Sequence, residues 1–140
     1  MTEPEQSVAI VTGGAGSIGQ AIATGLAADG CAVVIADLDQ ARAETVADRL
    51  TAAGRRAIAV ELDVCSFASA QRMVATVQES LGPITVLVNN AGGSARLVGG
   101  TYGPFHEAEE RVIAAMIDIN LKGPLFVTRA VVPQMVARQQ

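Results

Sequence analysis

The chain has 140 residues, half of them apolar, with a formal charge of −4 and two cysteines. This suffices for one domain with its own core, and the acidic balance without any basic run excludes nucleic acid as an expected partner. No apolar stretch reaches membrane length, the start from Met1 to Gln6 lacks a signal-peptide segment, and Cys31 and Cys65 have no metal-ligand spacing, so a cytoplasmic protein with reduced thiols and no membrane or metal partner is expected.

A β-branched run, Val8–Thr12, predicts the first strand. It passes through Gly13-Gly14-Ala15-Gly16-Ser17-Ile18-Gly19 into apolar positions at Ile18, Ile22 and Leu26, the spacing of a helix over Ile18–Ala28. A strand that hands over to a helix through glycines presents the first helical N–H groups to a phosphate. Gly14 to Gly19 fits G-x-G-x-x-G, and Ser17 with Gln20 predicts a capping box. A serine cap is worth about 1 kcal/mol and a helix dipole up to about 1 more, while micromolar affinity takes about 8. The loop therefore orients a pyrophosphate, and burial of adenine with hydrogen bonds to ribose must supply the rest.

The second strand is expected at Ala32–Asp37, with Cys31 at its start packing as a small hydrophobe. A helix over Gln40–Ala53, a strand Ala57–Leu62, a helix Phe67–Leu81 and a strand Ile84–Asn89 follow. Gly30, Gly54 and Gly82 stand just past the three helices, where a left-handed residue is wanted, and Met73, Val77 and Leu81 form a sheet-facing stripe. Strands alternating with helices imply an α/β fold, a Rossmann-type doubly wound parallel sheet with strand order 3-2-1-4.

From Gly92 to His106 the chain reads as a long loop, with Arg96 and Tyr102 candidates to border a pocket and His106 a surface residue. Glu107, Glu109 and Glu110 are expected to open a helix that continues through Val112, Ile113, Met116 and Ile117 to Asn120. Leu125, Val132 and Val136 extend the apolar stripe, and Gly123-Pro124 is expected to kink or interrupt the helix. Only the first βαβαβ half of such a fold is complete. Residues 1–140 are thus expected to be the dinucleotide-binding, N-terminal part of a longer domain, with strand Ile84–Asn89 left as an open edge.

Several of these segments together resemble the short-chain dehydrogenase/reductase family over essentially the whole chain. Thr12-Gly13-Gly14-Ala15-Gly16-Ser17-Ile18-Gly19 is similar to its T-G-x-x-x-G-x-G loop, with Ser17 in place of the second glycine. Leu62-Asp63-Val64 resembles its adenine segment, Asn89-Asn90-Ala91-Gly92 its N-N-A-G motif, and Asn120-Leu121-Lys122-Gly123 its N-x-K/x-G segment. The resemblance implies cofactor contacts from Gly13, Ser17, Ile18, Gly19, Asp37, Leu38, Asp63, Val64, Asn90, Ala91 and Gly92. Asp37 reads either as a solvated residue at a strand end or as the acceptor for ribose hydroxyls. In the second role it would repel a 2′-phosphate, at about 4 kcal/mol for two unit charges 4 Å apart at an effective dielectric of 20. Neither Gly16 nor Leu38 offers a cation, and Arg42, one turn further on, is expected to fall short, so NAD is preferred over NADP.

Asn120 lies on an apolar stripe and is expected to be buried, either as a satisfied core asparagine or, as the resemblance implies, as the residue that orders a water in a proton relay. The family's chemistry also needs a serine and a tyrosine four residues before a lysine. The sole tyrosine, Tyr102, is followed four residues later by His106. The chain alone is thus expected not to turn over. The favoured reading is the cofactor half of an oxidoreductase that moves a hydride between NAD(H) and a small-molecule alcohol or carbonyl, in a protein that is a dimer or tetramer when whole. A non-catalytic dinucleotide module and an interaction protein pairing through its open strand are the alternatives.

Overall fold

The computed structural model describes residues 6–100 and 103–139. Its elements run β1 (Val8–Thr12), α1 (Ser17–Ala28), β2 (Ala32–Asp37), α2 (Gln40–Ala52), β3 (Ala57–Glu61), α3 (Phe67–Ser80), β4 (Val86–Val88), α4 (Glu110–Ile117) and α5 (Gly123–Ala137). The four strands pair in parallel in the order β3-β2-β1-β4, the order expected from the alternation of strands and helices. All five positions of β1 are buried, as a strand covered on both faces requires.

Successive residues of β1 and β2 feed opposite layers. Val8, Ile10, Val34 and Ala36 join Met73 and Val77 of α3 and Val127 and Val131 of α5. Val11, Val33 and Ile35 join Ala23 and Ala27 of α1 and Ala43, Val46 and Leu50 of α2. Each fully buried valine or isoleucine of this set stabilises the fold by about 2 kcal/mol. The stripe Met73–Val77–Leu81 faces the core as expected, with Leu81 partly buried. Gly30, Gly54 and Gly82 end their helices at φ +91°, +77° and +98°. Cys31 packs against the α1/α2 layer.

Several boundaries differ from the sequence reading for identifiable reasons. β4 is shorter than Ile84–Asn89: it has one strand neighbour, the Ile84 N–H bonds the Gln134 side chain (3.2 Å), and the Asn90 N–H turns to the Thr12 hydroxyl (3.0 Å). The 92–106 loop contains two short 3₁₀ turns, Ala95–Val98 and Phe105–Glu107. Glu107 belongs to the second, and α4 begins only at Glu110, because Ala108 and Glu109 are extended (ψ +130° and +137°). Tyr102 lies outside the described residues.

The expected interruption at Gly123-Pro124 begins one turn earlier. Residues Asp118–Lys122 form a π turn in which the Gly123 N–H bonds the Asp118 carbonyl, five residues back. Pro124 has no N–H to offer the carbonyl four residues before it, so the chain widens rather than breaks. The Lys122 ammonium meets the Asp118 carboxylate at 2.7 Å across this turn and lies 5.7 Å from the Phe126 ring centroid. That ring packs edge-on against Phe67 (5.9 Å), which joins α5 to the start of α3.

Candidate functional site

Thr12 ends β1 with its hydroxyl buried beside the end of β4. Its Oγ1 accepts the N–H groups of Asn90 (3.0 Å) and Ala91 (2.9 Å) and donates to the Val88 carbonyl (3.4 Å). The Asn90 amide nitrogen returns two bonds, to the carbonyls of Thr12 (3.0 Å) and Gly13 (3.2 Å). Five hydrogen bonds thereby fix the two chain segments that leave adjacent strands. Gly13 follows at φ +62°, and a Cβ there would stand 2.9 Å from the Ala91 Cα. Both the conformation and the space admit only glycine.

The loop into α1 is held at the Ala15 peptide. Its N–H donates to Asp37 Oδ2 (2.9 Å), and its carbonyl accepts Gln20 Nε2 (2.7 Å) and Arg42 Nη2 (3.1 Å). The predicted Ser17/Gln20 capping box is not formed. The Gly16 N–H closes a tight turn onto Gly13 (3.1 Å) and the helix starts at Ser17, so the N-cap is Gly16, which has no side chain with which to cap. Gln20 therefore reaches past Ser17 to Ala15. The consequence for binding is favourable, since no side-chain cap occupies the first-turn N–H groups that an anion would use.

At the end of β2, Asp37 is neither simply solvated nor idle. Oδ2 holds the Ala15 N–H, and Oδ1 accepts the Asp39 N–H (3.1 Å). Asp39 in turn caps α2 by accepting the Arg42 N–H (3.1 Å). Beyond β3, Asp63 Oδ1 accepts the Cys65 N–H (2.9 Å) while the Asp63 N–H donates to Ser69 (3.1 Å). Val64 is seated against the widened turn, where a Cβ on Gly123 would meet its Cγ2 at 2.9 Å.

Gly13, Ser17, Ile18, Gly19, Asp37, Leu38, Asp63, Val64, Asn90, Ala91 and Gly92 all line one cleft of about 1050 Å³. It opens where the four strands end, the usual ligand crevice of an open parallel sheet. Its size is that of a site for a large organic ligand. The cleft also includes Arg42, Cys65, Asp118 and Ile119, with Leu97 and Val98 from the first 3₁₀ turn. Arg42 spans a full helical turn back to the glycine loop, a reach its spacing alone does not suggest. Arg42, expected to fall short, lies in the cleft, and Thr12, named only as part of the glycine-loop motif, is the anchor of the Asn90 segment. The signal for Thr12 was a hydroxyl terminating an otherwise apolar buried strand, and for Arg42 a cation on the first turn of the helix that follows Asp37.

Asn120 departs from expectation. It is exposed rather than buried, since the π turn breaks the helical register that would have carried it along the stripe of Ile113 and Met116. It borders a second, apolar groove of about 540 Å³ with Phe105, Val112 and Leu121. Its amide is nevertheless fully engaged: Oδ1 accepts the Gly93 N–H (2.9 Å), and Nδ2 donates to the carbonyls of Gly93 (3.0 Å) and Met116 (2.9 Å). The residue pins the segment after β4 to α4. His106 is exposed, as expected, and lies 3.6 Å from the Glu107 carboxylate.

Burial pushes the Cys65 thiol up from its ordinary range, and the nearby carboxylates of Asp63 and Asp118 add to the effect. The thiolate is the reactive form, so alkylation of Cys65 is expected to be slower near neutral pH than that of a free thiol and to rise as pH rises into the alkaline range. Peptide mass mapping after timed iodoacetamide treatment measures this. Rapid labelling of Cys65 at neutral pH would contradict the assigned surroundings.

The chain matches the family model described as short chain dehydrogenase over residues 7–140. It therefore belongs to the short-chain dehydrogenase family, whose members bind a nicotinamide dinucleotide. Among curated relatives it is 45% identical over 131 residues to galactitol 2-dehydrogenase of Agrobacterium fabrum, covering 94% of this chain and 48% of that protein. Among solved structures, gox2181 aligns with a TM-score of 0.90 at 34% identity, covering 98% of this chain and 51% of that one. A gluconate 5-dehydrogenase of Burkholderia cenocepacia in complex with NADP and tartrate aligns at 0.85 and 32% identity, covering 96% and 51%. The chain spans about half the length of the relatives it matches.

Proposed function

We propose that residues 1–140 are the cofactor-binding half of an oxidoreductase that moves a hydride between NAD(H) and an alcohol or carbonyl substrate. The carrying observation is that four chain segments, leaving four parallel strands, converge on a single cleft of dinucleotide size. In this reading the uncapped first turn of α1 receives the pyrophosphate beside Gly13 and Ser17–Gly19. Asp37 accepts from the adenosine ribose with the lone pairs its two backbone bonds leave over, and Leu38 covers that side. Asp63 meets the adenine amino group and Val64 its ring. Asn90, Ala91 and Gly92, held by Thr12, border the nicotinamide ribose. The nicotinamide ring, when bound, supplies the hydride chemistry. Asn120 marks the proposed place of the water in the proton path, at a turn that its own amide fixes through Gly93 and Met116.

NAD is the proposed cofactor because the Asp37 carboxylate stands where a 2′-phosphate would have to lie. The serine and the Tyr-x-x-x-Lys of the reaction are proposed to come from outside this chain, as is most of the substrate pocket. The whole protein is proposed to be a cytoplasmic dimer or tetramer; no helix among the described residues is long and apolar enough to cross a membrane. Fluorescence of NADH titrated with the chain tests the reading. A saturable rise, reversed by ADP-ribose and accompanied by no turnover of NAD with added alcohols, is expected. An unchanged signal at high chain concentration would overturn it.

A further inference from the structure

Gln20, the residue that follows the glycine motif, is half-buried and binds two consecutive peptide planes of the loop before it. Its backbone N–H donates to the Gly16 carbonyl (2.8 Å), and its Nε2 donates to the Ala15 carbonyl (2.7 Å). A peptide unit is planar, so a carbonyl held in place also fixes the N–H on the other edge of its plane. The Ala15 carbonyl thereby sets the Gly16 N–H, and the Gly16 carbonyl sets the Ser17 N–H. The Gly16 N–H closes the turn onto Gly13 (3.1 Å), and Gly16 and Ser17 both line the cleft.

Gln20 is itself braced from the neighbouring helix. Its Oε1 accepts Nη2 of Arg49 (2.8 Å), which stands on the last turn of α2. A primary amide suits this place because it donates through nitrogen and accepts through oxygen at once, and a carbonyl on one side with a guanidinium on the other fixes which way it points. The series Arg49–Gln20–Ala15 joins the end of α2 to the peptides that open α1. Arg42 also reaches the Ala15 carbonyl, but its side chain comes from an exposed residue and its contact is the longer of the two, at 3.1 Å.

We propose that Gln20 is a positioning residue for the pyrophosphate, aiming the first N–H groups of α1 through the Ala15 and Gly16 peptides, with Arg49 as its brace. The proposal rests on the dinucleotide reading above.

Calorimetric titration of the whole chain with NAD, beside an NMR titration with adenosine, which has no pyrophosphate, tests it. Gln20→Met keeps an unbranched side chain of good helix propensity and loses both side-chain bonds. It is expected to weaken NAD binding about tenfold and to leave adenosine binding unchanged. Arg49→Met should weaken NAD about threefold, whereas Arg49→Lys, which can still donate to Oε1, should keep most of the affinity. On top of Gln20→Met, Arg49→Met should add nothing, because the two residues act in series. NAD affinity unmoved by Gln20→Met, or a loss shared equally by adenosine, would make Gln20 a residue of fold stability alone and overturn the proposal. Losses that add in the double variant would overturn the series. Arg49 is exposed, so its variants still decide the matter if Gln20→Met does not fold: NAD affinity indifferent to Arg49→Met overturns the brace. Failure of the unaltered chain to bind NAD overturns the dinucleotide reading and the proposal together.

Discussion

Replacing Thr12 with valine is expected to cost about 3 kcal/mol of stability, although the two side chains have nearly the same shape. The hydroxyl is buried and accepts two backbone N–H groups, those of Asn90 and Ala91, at 3.0 and 2.9 Å. Valine offers neither an acceptor, and each stranded donor carries a desolvation penalty of about 1–3 kcal/mol. The melting temperature should fall by about 10 °C for a chain of this size. Dinucleotide affinity should fall with it, because the Asn90–Gly92 segment loses its anchor to β1. Thr12→Ser keeps the hydroxyl and should cost only about 1 kcal/mol through the lost methyl. Thermal denaturation of the pair decides the matter: equal melting of the valine and serine variants would mean that the hydroxyl is not the hub of the site.

The second large effect is expected at Gly19. Helix propensity by itself favours alanine over glycine by about 1 kcal/mol, so Gly19→Ala would stabilise α1 if only propensity mattered. The packing argues the other way. A Cβ at Gly19 would run into the Gly13 carbonyl oxygen and lie 2.8 Å from the Gly14 Cα. These are backbone atoms and cannot rotate aside, so the helix must lift from the loop or the loop must open. Net destabilisation of about 2 kcal/mol is expected, with a loss of dinucleotide affinity of at least about tenfold. Gly25, in the same helix, has nothing within 4 Å of its missing Cβ. Gly25→Ala is accordingly expected to stabilise by about 0.5–1 kcal/mol. If both substitutions stabilise, the close approach of α1 to the glycine loop is not what shapes the cleft.

Strand positions and strand order could be read in advance because they depend on short-range chemistry, whereas the eleven cleft residues were named from the family resemblance. β1 and β2 are uninterrupted apolar runs, the glycines stand where the backbone must turn, and parallel pairing follows from the intervening helices. The departures arise where long-range partners override local rules. Ser17 has the sequence of a cap, yet the Gly13–Gly16 turn starts the helix one residue sooner. Asn120 sits on an apolar stripe by count, yet the π turn forced near Pro124 takes it out of register and delivers its amide to Gly93. Arg42 lies one turn beyond the strand end, yet the length of its guanidinium side chain and a carbonyl at Ala15 bring it back to the loop. Thr12 reads as the last residue of a strand until Asn90, 78 positions away in sequence, supplies the donor that explains it. Such partners leave no trace in periodicity or composition.

Everything proposed for the chain depends on the cleft at the strand ends being a dinucleotide site. The most direct measurement is the amide NMR spectrum of the isotope-labelled chain titrated with NAD. Saturable shifts are expected at Gly13, Ser17–Gly19, Asp37–Leu38, Asp63–Val64 and Asn90–Gly92, with the apolar groove around Phe105 and Leu121 undisturbed. Shifts confined to that groove, or none at saturating NAD, would contradict it.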